Sequence, residues 1–184
     1  GILFYQKKGK LNYNIELNAY RMEVDNWIQW VNVGYWTAKN IKKVENTGIE
    51  TNISAKYSFS QNWLLSTGAN YSYTYAIEKR DNKKPLELQY TPKHMGNSYL
   101  QIQYKKWSFF NTASYIGERY TEIYKTLDAY LLIDSKIEKS FKYKKQNFLL
   151  AYSINNIFDK AYQNQENYAM PGRNHKISLR YFFN

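Results

Sequence analysis

Hydrophobic and polar residues alternate along much of this chain, most clearly in its last eight positions. Four apolar residues there share one side of an extended strand: Ile177, Leu179, Tyr181 and Phe183. Ser178 and Arg180 fall on the other side, because successive side chains of a strand point to opposite faces. A strand with one apolar face, one polar face and an aromatic end predicts the wall of a transmembrane β-barrel, with lipid outside and water inside.

The same alternation predicts about nine strands joined by two kinds of connection. We place the strands at 1–6, 10–24, 41–58, 62–77, 97–105, 107–117, 129–142, 146–155 and 176–184. Short turns are expected at 7–9, 59–61, 105–106 and 143–145, and long loops at 25–40, 78–96, 118–128 and 156–175. Alternating connection length is typical of outer-membrane barrels, whose short turns face the periplasm.

Charged residues fall mostly on the polar face of their strands, which favours a membrane wall. Seven charges fall on polar positions of their strands: Glu16, Glu50, Lys56, Asp134, Lys136, Glu138 and Arg180. Lys139 shares the apolar register of its strand, but it lies near a turn and is expected to snorkel to water. The strand at 107–117 is ambiguous, because Trp107, Phe109 and Ala113 do not clearly outrank Phe110 and Ile116.

Composition agrees with a barrel and excludes several other classes. The chain holds 20 Tyr, 9 Phe and 5 Trp, and amphipathic rings suit the two membrane–water interfaces. Its formal net charge of +11 raises nucleic-acid binding as a rival, but the lysines cluster between strands instead of forming one basic face. The absence of cysteine excludes a disulfide framework and a Cys-based zinc site.

Three stretches near the C-terminal end resemble a known family. They are Ile154–Tyr162 (INNIFDKAY), Tyr168–Arg173 (YAMPGR) and the aromatic-ended last strand. Together they resemble the C-terminal block of TonB-dependent outer-membrane receptors. Further similarity at 128–134, 36–50 and 90–97 extends the resemblance to about 36–184.

The resemblance implies an all-β, antiparallel transmembrane β-barrel wall in the bacterial outer membrane. Residues 1–184 would be about nine C-terminal strands of a 22-stranded barrel, and the N-terminal plug domain would be absent from this chain. The family draws energy from the TonB complex through that plug. Ile177, Leu179, Tyr181 and Phe183 would serve as the barrel-assembly signal, with Phe183 one place in from the end.

The family motif has a structural and a functional interpretation. We expect most of it to be structural, because Asn and Asp side chains at strand ends commonly bond to the backbone of a turn. The motif residues are Asn155, Asn156, Phe158, Asp159, Tyr162, Pro171, Gly172 and Arg173. Arg173 could meet a substrate phosphate or carboxylate, although a structural ion pair is the stronger expectation. His94 and His175 lack spaced partners, so no metal site and no cofactor are predicted.

Substrate contacts are expected from aromatic and apolar residues of the outer loops. The candidates are Trp30, Tyr35, Trp36, Tyr162, Tyr168, Met170 and Arg173. Flat apolar surface with few carboxylates suits a large, partly planar ligand bound by stacking. Interface anchoring is the competing role for the tryptophans near 27–36.

The resemblance, which is closest to cobalamin and ferric-siderophore receptors, therefore implies an outer-membrane receptor that takes up a scarce nutrient such as cobalamin or a ferric siderophore. No catalytic motif argues for an enzyme. Two alternatives stay open: a soluble β-sandwich binding module, and a barrel with a structural role in a larger assembly. Expected partners are outer-membrane lipid and lipopolysaccharide, the missing strands and plug, TonB and a small-molecule nutrient, with a surface lipoprotein left open and nucleic acid excluded.

Overall fold

The computed structural model describes residues 1–80, 82, 84–122 and 125–183 of the chain. Asn184, which ends the last predicted strand, lies outside this part, as do residues 81, 83, 123 and 124 of two predicted loops. The described strands are β1 (Ile2–Lys8), β2 (Leu11–Asn32), β3 (Trp36–Ser58), β4 (Trp63–Glu78), β5 (Leu86–Glu87), β6 (His94–Tyr104), β7 (Trp107–Ile116), β8 (Arg119–Glu122), β9 (Lys125–Leu127), β10 (Tyr130–Tyr143), β11 (Gln146–Asn155) and β12 (Asn174–Phe182). No helix in these residues is long and apolar enough to cross a membrane.

Nine of these strands form one antiparallel meander, which confirms the nine predicted strands. The order is β1-β2-β3-β4-β6-β7-β10-β11-β12, so every neighbour in the sheet is also the next long strand along the chain. β5 pairs with the outer end of β4, and β8 and β9 form a separate small hairpin. Within the described residues β1 and β12 each pair on one side only, so the sheet is open.

The predicted loop at 25–40 is wrong. β2 continues to Asn32 and β3 begins at Trp36, so the two strands extend as one long hairpin with its tip at 33–35. Smaller differences occur in the other long loops. β6 begins three residues earlier than predicted, at His94, and the loop at 118–128 contains the β8–β9 hairpin.

Ion pairs across strands explain the length of this hairpin. Beyond the paired row of Ala19, Ile49 and Tyr73, the outward register of β2–β4 becomes charged. Arg21 bonds Glu45 at 3.4 Å, Lys43 bonds Glu23 at 2.9 Å, and Lys79 pairs with Glu45. Charges compensated in this way belong in water, so the strands continue above the apolar belt without needing an apolar face.

The register assigns the faces of the sheet. Ile15 pairs with Ile53 and Ile53 with Ala69, whereas the polar row runs from Asn52 through Asn70 to Asn97. The polar face lines a groove of about 500 Å³, which identifies it as the concave side. In the ambiguous strand, now β7, Trp107, Phe109 and Ala113 pair with Lys139, Ile137 and Ile133 and therefore lie on the apolar face.

An aromatic belt follows the short turns on this apolar face. Trp63 packs on Tyr104 with ring centroids 4.3 Å apart. A second series of ring contacts joins Phe141 to Phe148, Phe148 to Tyr181, and Tyr181 to Phe183. Tyr181 of the last predicted strand thus stacks against the neighbouring strand, and Phe183 packs on Tyr181.

Candidate functional site

The loops opposite the short turns build the candidate site, and Arg119 joins two of them. Arg119 begins β8 and is only 5% exposed. Its guanidinium donates to the carbonyl oxygens of Gln163 (2.5 Å) and Asn164 (3.4 Å) in the loop between β11 and β12. The same group lies 5.5 Å from the ring centroid of Tyr130. These contacts fasten the loop after β7 to the loop after β11.

A cleft of about 420 Å³ opens beside this junction. Its lining includes Leu127, Tyr130, Tyr162 and Met170. The rings of Tyr130 and Tyr162 lie 4.7 Å apart, and the Tyr130 hydroxyl donates to Asn164 Oδ1 at 2.5 Å. The cleft therefore offers ring faces and a thioether beside the charged residues Asp128 and Lys160.

A salt bridge closes the far side of the same loop. The Lys125 ammonium bonds the Glu166 carboxylate, and this hydrogen bond lowers the pKa of Glu166 below its ordinary value, against a smaller opposing effect of burial. The pair thus remains ionised through the neutral range and ties β9 to the 156–173 loop.

The family motif forms a hydrogen-bonded turn in this loop. The backbone N–H of Asn156 donates to Asp134 Oδ1 at 2.7 Å, and the Asn156 amide bonds the carbonyl oxygen of Lys160 at 2.9 Å. The backbone N–H of Arg173 donates to Asp159 Oδ1 at 2.7 Å, and the Arg173 guanidinium to the Ile157 carbonyl at 3.4 Å. The polar atoms of the motif are thus largely engaged within the loop.

The close approach of Asp159 explains why residue 172 of this turn is a glycine. A Cβ atom at that position would lie 2.7 Å from Asp159 Oδ1, the atom that accepts from Arg173.

The remaining motif residues have separate places. Asn155 donates to Asn174 Oδ1 at 2.8 Å across β11 and β12. Phe158 is exposed, and the Pro171 carbonyl oxygen accepts from the Asn156 amide at 3.4 Å.

A second cleft, of about 620 Å³, lies against the tip of the β2–β3 hairpin. Its walls come from one face of the hairpin, from residues 85–89 and from Tyr120. Gln29 donates to Gln89 Oε1 at 3.0 Å across it. Lys39, Glu78, Arg80 and Glu87 also line it.

The seven predicted substrate contacts fall into separate groups. Tyr162 and Met170 line the first cleft, and Tyr168 is exposed on the same loop. Trp30 and Trp36 share one face of the hairpin tip, since Trp30 pairs with Ala38 and Asn32 with Trp36. Most hairpin residues that line the second cleft lie on the opposite face, and Tyr35 is exposed in the turn. Arg173 is occupied by the loop backbone.

Sequence reasoning missed Arg119 and Tyr130, which organise the first cleft. A cation within a predicted loop gives no local signal of burial; only its contacts across the loops show it. Among the described residues, no three His, Asp or Glu side chains are grouped so as to hold a metal ion.

Comparison with known proteins finds a matching family model and two relatives of this chain. A family model described as "TonB dependent receptor-like, beta-barrel" matches residues 1–157. A vitamin B12 transporter of Vibrio vulnificus is 28% identical over 92% of this chain, and one of Photobacterium profundum is 28% identical over 91%. The chain spans about a quarter (27%) of the length of each relative.

Solved structures share the fold. A chain from the structure of the FpvAI–pyocin S2 complex superposes with a TM-score of 0.62 at 16% identity, over 95% of this chain and 26% of that one. The matched family is one of receptors and transporters, not of enzymes.

Proposed function

Since this chain belongs to the TonB-dependent receptor family as an outer-membrane β-barrel segment, we propose that it is the C-terminal barrel part of a receptor that takes up a scarce nutrient. The observation that carries the proposal is its similarity, over about nine-tenths of its length, to two proteins named vitamin B12 transporters. The missing strands and a plug that responds to TonB would complete the receptor.

We propose a corrinoid as substrate and a ferric siderophore as the second choice. The first cleft supports a large, partly planar ligand, because Tyr130, Tyr162 and Met170 present apolar surface on a clamped loop. Tyr168 and the hairpin residues Trp30, Tyr35 and Trp36 add exposed rings at the same end of the sheet. Stacking on such rings suits a macrocycle better than a small hydrophilic solute.

Calorimetric titration of the complete receptor with cyanocobalamin tests this proposal. Tyr168→Ala and Trp36→Ala are each expected to weaken binding about tenfold, equivalent to about 1.4 kcal/mol for a central aromatic contact. Two matched controls remove an exposed ring elsewhere: Phe158→Ala in the same loop and Trp27→Ala on the opposite face of the same hairpin.

The controls are expected to bind like the wild type. Failure of the wild-type receptor to bind either cyanocobalamin or ferric siderophores would reject the substrate proposal. Equal losses in test and control variants would reject the assigned residues while leaving the substrate class in place.

A further inference from the structure

The positive charge of this chain is concentrated at one end of the sheet. Ten of the 26 basic residues, and none of the 15 acidic ones, lie within four positions of the four short turns. These ten residues, here called the lysine rim, are Lys7, Lys8, Lys10, Lys56, Lys105, Lys106, Lys139, Lys142, Lys144 and Lys145. The rest of the chain is nearly neutral, so almost the whole net charge of +11 belongs to the rim.

The rim is exposed and has no acidic partner of its own. All ten lysines are exposed, and none lies within salt-bridge distance of a carboxylate among the described residues. The nearest acidic residue along the chain, Glu138, pairs with Lys136 at 3.0 Å instead. Elsewhere in the sheet, by contrast, partly exposed lysines such as Lys43 and Lys79 bond to glutamates.

Aromatic rings hold part of the rim at a fixed depth. The Lys139 ammonium lies 4.6 Å from the Trp107 ring centroid, that of Lys105 lies 5.3 Å from Tyr104, and that of Lys144 lies 5.7 Å from Tyr143. Tyr and Trp rings occupy the headgroup level of a membrane. These ammonium groups therefore lie at the level of the lipid headgroups, and each has N–H donors to spare beyond a ring contact.

On the polar side of the same end, three rim lysines surround a common space that faces the lumen and not the lipid. Lys10, Lys56 and Lys105 line a cleft of about 920 Å³ between the short turns, together with Ser60, Asn62 and Trp63. Lys10 donates to the Phe59 carbonyl oxygen at 2.8 Å, which fixes one ammonium at the edge of this cleft. Its lining contains hydroxyl, amide and ammonium groups but no carboxylate.

We propose that the rim lysines beside the aromatic belt and in the short turns bind anionic phospholipid headgroups of the periplasmic leaflet, whereas Lys56 and Lys142, on the polar register, face the lumen. Ammonium groups beside an aromatic belt complement a phosphate that lies directly at the end of the acyl chains. A phosphodiester whose headgroup also carries an ammonium group is zwitterionic and gains least from such a rim, so lipids with a net negative charge should be selected. The inference concerns the wall and its orientation, and it does not depend on which nutrient is carried.

The test uses the complete receptor in nanodiscs of equal phosphatidylglycerol and phosphatidylethanolamine, with retained lipids counted by native mass spectrometry. Wild type should retain phosphatidylglycerol preferentially. Because each lysine near an anionic surface contributes about a fivefold factor, replacing Lys105, Lys106, Lys144 and Lys145 by Gln should reduce this preference at least about fivefold.

Two further variants separate charge from folding. Arg at the same four positions keeps the charge and should keep the preference, even if the Gln variant assembles poorly. Replacing four lysines at the opposite end of the sheet by Gln (Lys39, Lys84, Lys160 and Lys176) removes equal charge and should leave the preference unchanged.

Equal retention of both lipids by the wild type would overturn the proposal, and so would equal loss in the rim and loop variants. Soluble glycerol phosphate provides a last discrimination. If it displaces the bound phosphatidylglycerol at millimolar concentration, the rim is a site for free anions and the lipid proposal is wrong.

Discussion

Gly68 and Tyr99 are paired residues of β4 and β6 on the polar, concave face of the sheet. A Cβ atom at Gly68 would lie 2.5 Å from a ring carbon of Tyr99, so the missing side chain lets the ring lie flat across the strand. Tyr99 also stacks on Phe110, with centroids 6.2 Å apart. Tyr20 lies across Gly48 in the same way and bonds the Thr74 hydroxyl at 3.1 Å. Rings on the wet face are thus accommodated by glycine, which explains aromatics that break the simple alternation.

The free-energy cost of introducing a charge should depend on which face of the sheet the residue occupies. Ile53 is on the apolar face and 47% exposed without lipid, whereas its neighbour Asn52 is on the polar face. In a bilayer, Ile53→Arg should destabilise the barrel by about 2–4 kcal/mol if it lies near the midplane, and Asn52→Arg should cost far less. Denaturant titration of the complete receptor in vesicles measures both. Equal costs would show that the assigned faces are wrong.

Alternation assigned most residues to one face of the sheet but could not assign those of β7. Phe110 and Trp107 are equally apolar, so only pairing distinguishes them: Phe110 pairs with Gln101 and Lys136, and Trp107 with Tyr104 and Lys139. The expected snorkelling of Lys139 has a specific form, since its ammonium lies over the Trp107 ring. Such cross-strand relations depend on register, which a single sequence does not state.

At the scale of elements, the long β2–β3 hairpin shows that hydrophobic alternation cannot predict where a strand ends once it leaves the membrane. The alternation that identified these strands depends on contact with lipid on one face. Above the apolar belt both faces meet water, so Arg21, Glu23 and Lys43 can occupy the outward register while the backbone ladder continues. The ladder was therefore longer than its apolar pattern, and the predicted loop was in fact strand.

Connection length predicts the orientation of every hairpin. If the short turns face the periplasm, a cysteine replacing Lys8 should be protected from a membrane-impermeant maleimide on intact cells, whereas one replacing Gln165 should react. Both positions are exposed in the structure, so accessibility within the protein does not separate them. Labelling after cell lysis provides the control, because both should then react. Reaction of Lys8→Cys alone on intact cells would mean that the barrel is inverted.

Arg119 should control the order of two outer loops without supporting the barrel itself. Arg119→Lys keeps the charge but cannot reach the Gln163 and Asn164 carbonyls with the same planar fork. We expect faster hydrogen exchange in residues 160–170 and an unchanged rate in β10 and β11, measured by mass spectrometry on the complete receptor. The matched variant Arg80→Lys changes another loop arginine, one that bonds Glu78 on its own strand end, and should leave 160–170 unaffected. Unchanged exchange in Arg119→Lys would show that these bonds do not hold the loop.

At the scale of the whole molecule, the described residues form a curved wall and not a closed unit. Only a few apolar side chains are buried, with Val44, Ala76 and Leu88 as a small cluster, so stability has to come from lipid contact and strand pairing. The sequence predicted this architecture because its apolar face is exposed along the entire meander. It could not predict the clamped outer loops, whose order arises from contacts between distant segments such as Arg119 and Gln163.

Open edges in β1 and β12 lead to a last prediction. Each edge presents unpaired backbone N–H and C=O groups, and such groups cannot remain unsatisfied in hydrocarbon. We expect residues 1–184, refolded alone in detergent or vesicles, to associate through these edges and to give no compact monomer whose electrophoretic mobility shifts on heating. The complete receptor, treated identically, should give that heat-modifiable monomer because further strands pair with both edges. A heat-modifiable monomer from residues 1–184 alone would show that β1 and β12 can close on each other, and the expectation of additional wall would then be wrong.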